Sequence, residues 1–290
     1  MISEEKIKAR IEEKLGRKIN NLASLSGGCI SNAYKVTTID GSNYFLKYNP
    51  SISKDMFIKE ANGLKELVKA DAIRIPKVLS FEADYILLEY IPSGNKKKNF
   101  FDEFGKNFAE MHKFTSDNYG FYEDNFIGSN PQKNLPELKE KSSWVDFYFN
   151  NRILFQFELA EKLGNSTEEL RKGISKLENK IQEIVGESNE NPSLLHGDLW
   201  GGNYIVDENG SPVLIDPAVY YGHREADLGM TKLFGGFSSE FYKAYNEVFP
   251  LEDGYEYREN IYKLYHVLNH LNLFGGGYYS QALSLIKFYI

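Results

Sequence analysis

The segment from residue 195 to residue 216 constrains the fold of this chain more than any other. Asp198 and Asn203 are five residues apart in the sequence LHGDLWGGN, whose three glycines favour a tight loop. Two short apolar runs then flank the turn sequence Asp-Glu-Asn-Gly, and Asp216 directly follows the second run. The pattern predicts a β-hairpin between two acidic positions, so the loop and Asp216 should meet in the folded chain.

These residue types suit phosphoryl transfer, which needs a carboxylate to accept the hydroxyl proton and metal ligands close to it. The spacing of Asp198 and Asn203 matches the kinase catalytic-loop pattern His-x-Asp-x-x-x-x-Asn. Asp216 stands where a kinase has its magnesium-binding aspartate, although the triplet is Asp-Pro-Ala and not Asp-Phe-Gly. We therefore predict Asp198 as the catalytic residue, Asn203 and Asp216 as Mg²⁺ ligands, and ATP as the phosphate donor. The alternative, polar residues in ordinary surface turns, does not account for the full spacing.

The order of the predicted elements indicates the fold class. Strand-like runs separated by glycine turns, with one helix at 54–70, predict a small antiparallel lobe that follows an amphipathic helix at 3–15. The later part is predicted to be mainly helical, with helices at 100–114, 139–163, 167–185, 225–234, 238–248, 256–274 and 278–289. We predict an α+β, bilobal protein-kinase-like fold, with a nucleotide-binding lobe over 1–92 and a catalytic and substrate-binding lobe over 93–290.

The N-terminal lobe offers residues for ATP. Lys47 lies on the third predicted strand, where a phosphate-binding lysine belongs, and Glu60 on the next helix could pair with it; a chance Lys–Glu pair is the alternative. A glycine turn between the first two strands could bring backbone N–H groups to phosphates, although an ordinary tight turn would look the same. The other predicted ATP contacts lie in this turn and in the hinge, whose backbone would read adenine: Gly27, Gly28, Glu89, Tyr90 and Ile91.

Two absences narrow the type of kinase. Gly197 stands where protein kinases have an arginine that pairs with a phosphorylated activation loop. The chain after Asp216 reaches a predicted helix within about ten residues, without a long activation segment or an Ala-Pro-Glu motif. The sequence therefore predicts an enzyme that loop phosphorylation does not switch and that accepts a compact substrate.

A more specific string follows at 221–228, where the chain reads Tyr-Gly-His-Arg-Glu-Ala-Asp-Leu. Together with His-Gly-Asp-Leu-Trp-Gly-Gly-Asn at 196–203 and Asp-Pro-Ala at 216–218, it resembles the fructosamine (ketosamine) kinase family. That family belongs to the aminoglycoside-phosphotransferase-like branch. Similar stretches at 124–134 and 269–275 extend the resemblance over nearly the whole chain.

The resemblance implies ATP-dependent phosphorylation of a sugar hydroxyl, usually O3, of a ketosamine such as ribulosamine, erythrulosamine or fructosamine. The phosphate is then lost by elimination and the amine is freed, so the reaction serves deglycation. The acceptor would be a small-molecule or a protein-bound ketosamine. This chain departs from the family's more glycine-rich nucleotide loop.

Four residues are predicted to contact the acceptor. Trp200 could pack on the sugar or amine, or it could be a wedge between the loop and a helix. His223, Arg224 and Glu225 could line the acceptor pocket, or they could form a buried ion-pair network. Two further residues are expected to be structural: Asp227 steadying the loop or capping its helix, and His112.

Composition bears on partners and location. The formal net charge is −7, which argues against a general nucleic-acid binder because such proteins need a basic face. No apolar run is long enough to span a membrane, and the charged N-terminus does not look like a signal peptide, so we expect a cytoplasmic protein without membrane contact. The single cysteine, Cys29, excludes an intrachain disulfide. Cys29 could be a small buried residue in a monomer or could form a redox-linked homodimer.

Two other functions stay open from the sequence. An aminoglycoside- or choline-type phosphotransferase would keep every ATP residue and change only the acceptor pocket. A non-catalytic nucleotide-binding scaffold would commonly have lost one of Lys47, Asp198, Asn203 and Asp216, and all four are present.

Overall fold

The computed structural model describes residues 4–25, 31–52, 55–186 and 190–290. Its N-terminal part is a five-stranded antiparallel sheet in the order β1-β2-β3-β5-β4. The elements of this part are α1 Glu4–Leu15, β1 Ile19–Leu25, β2 Asn32–Thr38, β3 Asn43–Tyr48, α2 Met56–Val68, β4 Val78–Glu82 and β5 Tyr85–Glu89. An N-terminal antiparallel sheet followed by a mostly helical remainder confirms the predicted α+β class.

The remainder combines helices with three short two-stranded pairings. Its helices are α3 Phe100–His112, α4 Trp144–Tyr148, α5 Phe155–Lys162, α6 Glu168–Glu178, α7 Ile181–Val185, α8 Glu225–Leu233, α9 Ser239–Val248, α10 Tyr255–Phe274 and α11 Tyr278–Lys287. Its strands are β6 Asn125–Ile127, β7 Asn130–Gln132, β8 Ser193–Leu195, β9 Tyr204–Val206, β10 Pro212–Leu214 and β11 Tyr220–Gly222. The hairpin predicted between the two acidic positions is present as β9 and β10. Among the described residues, no helix is both long and apolar enough to cross a membrane.

Two of the predicted helices differ from the structure. The helix predicted from 139 begins at residue 144, because the Ser143 hydroxyl accepts the Asp146 N–H (3.2 Å) and caps its first turn. That helix also contains a π-helical segment, Phe149–Leu154, between α4 and α5. The helix predicted over 167–185 is two helices, and at the break the Asn179 side chain donates to the Ser175 carbonyl (2.9 Å).

The apolar residues form two clusters. The smaller one lies between α1 and the sheet and includes Ile7 and Ile11, the four-residue spacing that predicts an amphipathic helix. The larger one joins α2 and the inner side of the sheet to the helical remainder. The sheet is therefore buried on both faces, which fixes its position relative to the helices.

Polar contacts also connect the sheet to the β9–β10 hairpin. Arg74 pairs with Glu89 at the end of β5 (2.7 Å) and with Asp207 in the hairpin turn (2.9 Å). Its carbonyl accepts the Leu214 N–H of β10 (3.1 Å). Arg74 thus fixes the hairpin, and with it Asp216, against the N-terminal part.

Candidate active site

The loop between β8 and β9 is held by one buried carboxylate. Asp227 of α8 accepts the backbone N–H groups of His196 (2.7 Å) and Gly197 (2.8 Å). His112 of α3 lies 3.3 Å from the same carboxylate and bonds Tyr245 of α9 through its other nitrogen (2.7 Å). Burial alone would raise the pKa of Asp227, but hydrogen bonds and nearby histidines hold that pKa below its usual value. The carboxylate therefore stays charged and fixes the loop, the steadying role that the sequence suggests for Asp227.

Gly197 occupies a position that only glycine can take. Its φ is +82°, and a Cβ built there would lie 1.9 Å from the Ala218 carbonyl oxygen. The Ala218 N–H donates to the His196 carbonyl (2.9 Å), so the chain after Asp216 lies directly against the loop. An arginine at this position would collide with that backbone, which explains why the protein-kinase arginine is absent.

Asn203 connects Asp198 to the segment that leads from β10 to Asp216. Its side-chain N–H group donates to the Asp198 carbonyl (2.7 Å) and carboxylate (3.0 Å). Its backbone carbonyl accepts the Ile215 N–H (3.1 Å). Burial raises the pKa of Asp198 well above its usual value, opposed by the Asn203 hydrogen bond and reinforced by the charge of Asp216. The loop thus brings two carboxylates and an amide into one electrostatic environment.

Asp216 also has an unusual backbone conformation. Its φ is +55°, and only one other non-glycine residue in the described part of the chain, Asp71, has a positive φ. Such conformations cost about 1–3 kcal/mol and persist where surrounding contacts enforce them. Here the strand β10 and the close approach of Ala218 to the loop hold the turn and keep the Asp216 side chain partly exposed.

Lys47 meets both Glu60 and Asp216. Its ammonium lies 2.8 Å from Glu60 of α2 and also contacts the Asp216 carboxylate. Burial alone would lower the pKa of Lys47, but the charges of Asp216 and Glu60 outweigh it and the net direction is upward. The lysine therefore remains a cation, held between the two carboxylates.

The oxygen donors of Asn203 and Asp216 fit a magnesium ion. Mg²⁺ prefers oxygen ligands and usually takes one or two from the protein, with the rest from phosphates and water. Because the Asn203 amide nitrogen is bonded to Asp198, the amide oxygen is left for a cation. No cluster of three or more His, Cys, Asp or Glu side chains suited to a metal occurs among the described residues.

The remaining predicted ATP contacts are partly described. Gly27 and Gly28 lie outside the described residues, as does Cys29. The Glu89 side chain bonds Arg74 (2.7 Å) and the Lys77 N–H (3.2 Å), and Lys35 lies over the Tyr90 ring (4.6 Å). Ile91 is buried. Because the side chains at 89–91 are already engaged, a contact with adenine there stays a prediction about backbone groups.

Trp200 lies two residues after Asp198 and is 41% exposed. Its indole contacts Phe234 in a T-shaped arrangement (6.3 Å between centroids). A Cβ at Gly202 would come within 2.4 Å of the indole, so that glycine makes room for the ring. Trp200 thus packs partly between the loop and the end of α8, and the rest of its surface is exposed two residues from Asp198.

His223, Arg224 and Glu225 are placed in a buried ion-pair network, the alternative that the sequence leaves open. Arg224 bonds Glu190 through two nitrogens (2.8 and 2.5 Å), and Arg258 bonds Glu225 in the same way (2.8 and 2.6 Å). His223 lies between these pairs, 3.6 Å from Glu190. An acceptor role for the three residues stays a prediction, and these contacts favour the structural role.

Several buried polar residues hold the segment after Asp216 or pack against it, and sequence reasoning missed them. Gln132 donates to the Ala218 carbonyl (2.9 Å) and Asn125 to the Val219 carbonyl (2.8 Å), so both hold the segment after Asp216. Arg152 is fully buried, donates to Asn134 (2.7 Å), and lies over the Tyr220 ring (3.8 Å). The signal was the run of amides at 125–134, which were identified only as part of a resemblance.

The chain is similar to known proteins over nearly its whole length. The profile of the family described as fructosamine kinase matches residues 3–290. The chloroplastic protein-ribulosamine 3-kinase of Oryza sativa subsp. japonica is 42% identical over 287 residues, covering 97% of this chain and 82% of the relative. The Arabidopsis thaliana protein of the same name is 41% identical over 290 residues, covering 97% of this chain and 86% of the relative.

Solved structures confirm the fold. A crystal structure from Thermobifida fusca, assigned as a fructosamine-3-kinase, superposes with a TM-score of 0.89 at 30% identity, covering 99% of both chains. The structure of ADP-bound aminoglycoside phosphotransferase APH(2″)-Ib superposes with a TM-score of 0.64 at 15% identity, covering 99% of this chain and 100% of that one. The second likeness concerns the fold alone, and together they confirm the predicted bilobal protein-kinase-like architecture.

Proposed function

The chain belongs to the fructosamine kinase family, and from that premise we propose that it is an ATP- and magnesium-dependent ketosamine kinase that phosphorylates a sugar hydroxyl, O3, in deglycation. It is an enzyme of the phosphotransferase class, as its relatives at about 40% identity over nearly the whole chain are. The proposal includes the division into a nucleotide-binding lobe over 1–92 and a catalytic lobe over 93–290.

One observation carries the proposal. Lys47 contacts Glu60 and Asp216 together, while Asn203 links Asp198 to the strand that leads to Asp216. This set joins a phosphate-binding cation, two metal-ligand types and a base, which are the parts that phosphoryl transfer requires. A scaffold without turnover would have no need to keep all of them in contact.

The residues divide the work of the reaction. Asp198 orients the acceptor hydroxyl and takes its proton, and Asn203 fixes the position of that carboxylate. Lys47 binds the nucleotide phosphates, with Glu60 behind it. A magnesium ion held by Asn203 and Asp216 would supply charge neutralisation for the phosphates. The raised pKa of Asp198 suits a group that must bind a proton during the reaction.

The relatives' names support the choice of acceptor. Both plant relatives are named protein-ribulosamine 3-kinase, which favours a ribulosamine over a fructosamine and a protein-bound amine over a free one. Trp200 supports this choice as well, since its indole is partly exposed two residues from Asp198 and can pack on the sugar or the amine. An aminoglycoside acceptor is the second candidate, and only the fold favours it.

The test measures ATP consumption with Mg²⁺ for four samples: free ribulosyl-lysine, free fructosyl-lysine, an aminoglycoside and no acceptor. We expect turnover with ketosamines, fastest with the ribulosyl compound, and a product phosphorylated at O3 by NMR. Turnover only with the aminoglycoside would keep the catalytic residues and reject the ketosamine assignment. Nucleotide binding without any turnover would reject the kinase itself.

A further inference from the structure

Five aromatic side chains form a connected surface that begins at the catalytic loop. We name it the aromatic ledge, and it consists of Trp200, Phe234, His270, Phe274 and Tyr278. Ring centroids are 6.3 Å apart from Trp200 to Phe234, 4.7 Å from Phe234 to His270 and 5.6 Å from His270 to Phe274, and Tyr278 lies 5.1 Å from His270. The ledge thus leads from the neighbourhood of Asp198 to the turn between α10 and α11.

The ledge is open to solvent. Phe234 is 40% and Phe274 61% exposed, although large apolar side chains are normally buried. A Cβ added at Gly235, or at any position of 275–277, would meet nothing within 4 Å. At the other end, the Gly201 and Gly236 backbones touch closely enough that a Cβ on Gly236 would lie 3.3 Å from the Gly201 Cα. Glycine therefore borders both ends of the ledge, where the chain has no side chains.

We propose that the aromatic ledge binds the lysine stem and the flanking peptide of a protein-bound ketosamine, so that it selects polypeptide acceptors over free ones. The inference rests on the proposed function, because the sugar must be at Asp198 for the rest of the acceptor to lie over Trp200. It adds a docking surface for the part of the substrate that does not react.

The chemistry of such an acceptor matches the ledge step by step. The ketosamine nitrogen is a secondary amine that is cationic at neutral pH, and a cation is favoured over the face of an indole. Beyond it come the lysine methylenes and then peptide groups, which bury apolar area well against phenylalanine rings. A free ribulosyl-lysine reaches only the first part of this surface. The outer rings, Phe234 and Phe274, should therefore matter for a polypeptide and not for the free compound.

A second occupant, another copy of this chain, would use the same exposed rings. Continuity with the catalytic loop favours the substrate, because the first ring of the ledge, Trp200, is two residues from Asp198 and contacts the next ring, Phe234. Exposed apolar patches of this kind usually mark binding surfaces. The oligomeric state therefore enters the test as an outcome that would overturn the proposal.

The experiment compares kcat/KM for free Nε-ribulosyl-lysine with that for a peptide carrying one ribulosyl-lysine between flanking residues. The variants are Phe234→Ser, Phe274→Ser and the double substitution, none of which alters a residue of the catalytic set. Phe288→Ser is the matched control, since Phe288 is 53% exposed and lies at the far end of α11 from the ledge. We expect the double variant to lose roughly tenfold or more in kcat/KM for the peptide, mainly through KM. The phenylalanine variants of the ledge should turn over the free compound within about twofold of the wild type. Phe288→Ser should turn over both substrates within the same limit.

Any other outcome would overturn the proposal that the ledge binds the peptide part of the acceptor. Equal losses on both substrates would show a structural effect, and unchanged peptide kinetics would show that the rings are not used. If light scattering found a dimeric wild type and a monomeric double variant, the surface would be one that joins two copies. Because the free compound reports the proposed function separately, its turnover by the wild type supports that function even when the ledge proposal fails. Silence of the wild type with both ketosamines would overturn the two together.

Discussion

A single methyl group at residue 197 should disrupt the active site. In Gly197→Ala the new Cβ would lie 1.9 Å from the Ala218 carbonyl oxygen, at a φ of +82° that alanine disfavours. We expect the free energy of unfolding to fall by at least about 2 kcal/mol, because the backbone must move on both sides of the contact. Most of the activity should be lost as well. Urea unfolding and turnover measure the two effects.

Gly41→Ala is the matched control for this substitution. Gly41 has nearly the same φ, +83°, but a Cβ there would meet nothing within 4 Å. It should cost only about 1 kcal/mol, the price of the backbone conformation alone. Equal losses in the two variants would show that the contact with Ala218 is not what makes residue 197 a glycine.

Replacing the Asp198 carboxylate should lower activity and raise stability. Asp198→Asn removes the proton acceptor, so kcat should fall about 10²–10⁴-fold while ATP binding is kept. Burial disfavours the ionised carboxylate, so the neutral amide should raise the melting temperature. Turnover, nucleotide titration and thermal unfolding test these three statements. Near-normal kcat, or a lower melting temperature, would contradict the role or the electrostatics assigned to Asp198.

At the scale of elements, the sequence predicted what local chemistry decides. The β9–β10 hairpin followed from its Asp-Glu-Asn-Gly turn, and α2 followed from its apolar spacing. The sequence did not predict β11, because its strand exists only through pairing with β8, which lies 25 residues earlier at Leu195 and Tyr220. The π-helical segment was missed for a similar reason: its side chains are held by distant partners, and no local pattern records them.

The same limit applies to the candidate site. Lys47, Glu60 and Asp216 could be placed together because each belongs to a recognisable motif. The contact of Gln132 with Ala218 has no local signature, since the two residues are 86 positions apart. Nor could the sequence decide between the two roles of Arg224, because its partner Glu190 and the carbonyls of Phe249 and Pro250 come from other segments.

Arg152 connects the π-helical segment to distant parts of the chain. This buried guanidinium donates to the Lys133 carbonyl (2.6 Å) and the Asn134 side chain (2.7 Å), and it lies over Tyr220 of β11. Arg152→Met should reduce the free energy of unfolding by about 2–4 kcal/mol, because two buried acceptors lose charge-assisted hydrogen bonds. Chemical denaturation measures the loss.

Arg152→Lys separates charge from geometry. Lysine keeps the charge but lacks the planar fork that reaches both acceptors and the ring together. We therefore expect a loss close to that of the methionine variant. Full recovery of stability by lysine would show that the charge alone is needed at this position.

At the scale of the whole molecule, the proposed active site lies where the sheet, α2 and the helical remainder meet. Glu60 and Lys47 come from the N-terminal part, and Asp216 and Asp198 come from the remainder. The Arg74 contacts and the hydrogen bond from the Gly94 N–H to the Val206 carbonyl (3.0 Å) hold the two parts in register. The architecture thus supplies a site that neither part contains alone.

Burial of histidine should make the whole molecule sensitive to acid. The chain has five histidines, and burial lowers the pKa of every one of them: His112, His196, His223, His266 and His270. His266 is the extreme case, with a pKa lowered to about 3 and a ring nitrogen that has no hydrogen-bond partner among the described residues. Folding therefore keeps these rings neutral at a pH where the unfolded chain binds protons.

The sign of the effect follows from linkage. Between pH 6.5 and about 3 the unfolded chain carries a proton on His266 that the folded protein does not, so the free energy of unfolding falls as the pH falls. For this one residue the slope approaches about 1.4 kcal/mol per pH unit below 6.5. His266→Gln removes the titration, so the difference in stability between variant and wild type should shift by about that amount per unit between pH 6 and pH 5. Urea unfolding at pH 7.5, 6.0 and 5.0 measures it, and parallel pH profiles for the two proteins would contradict the buried, neutral state of His266.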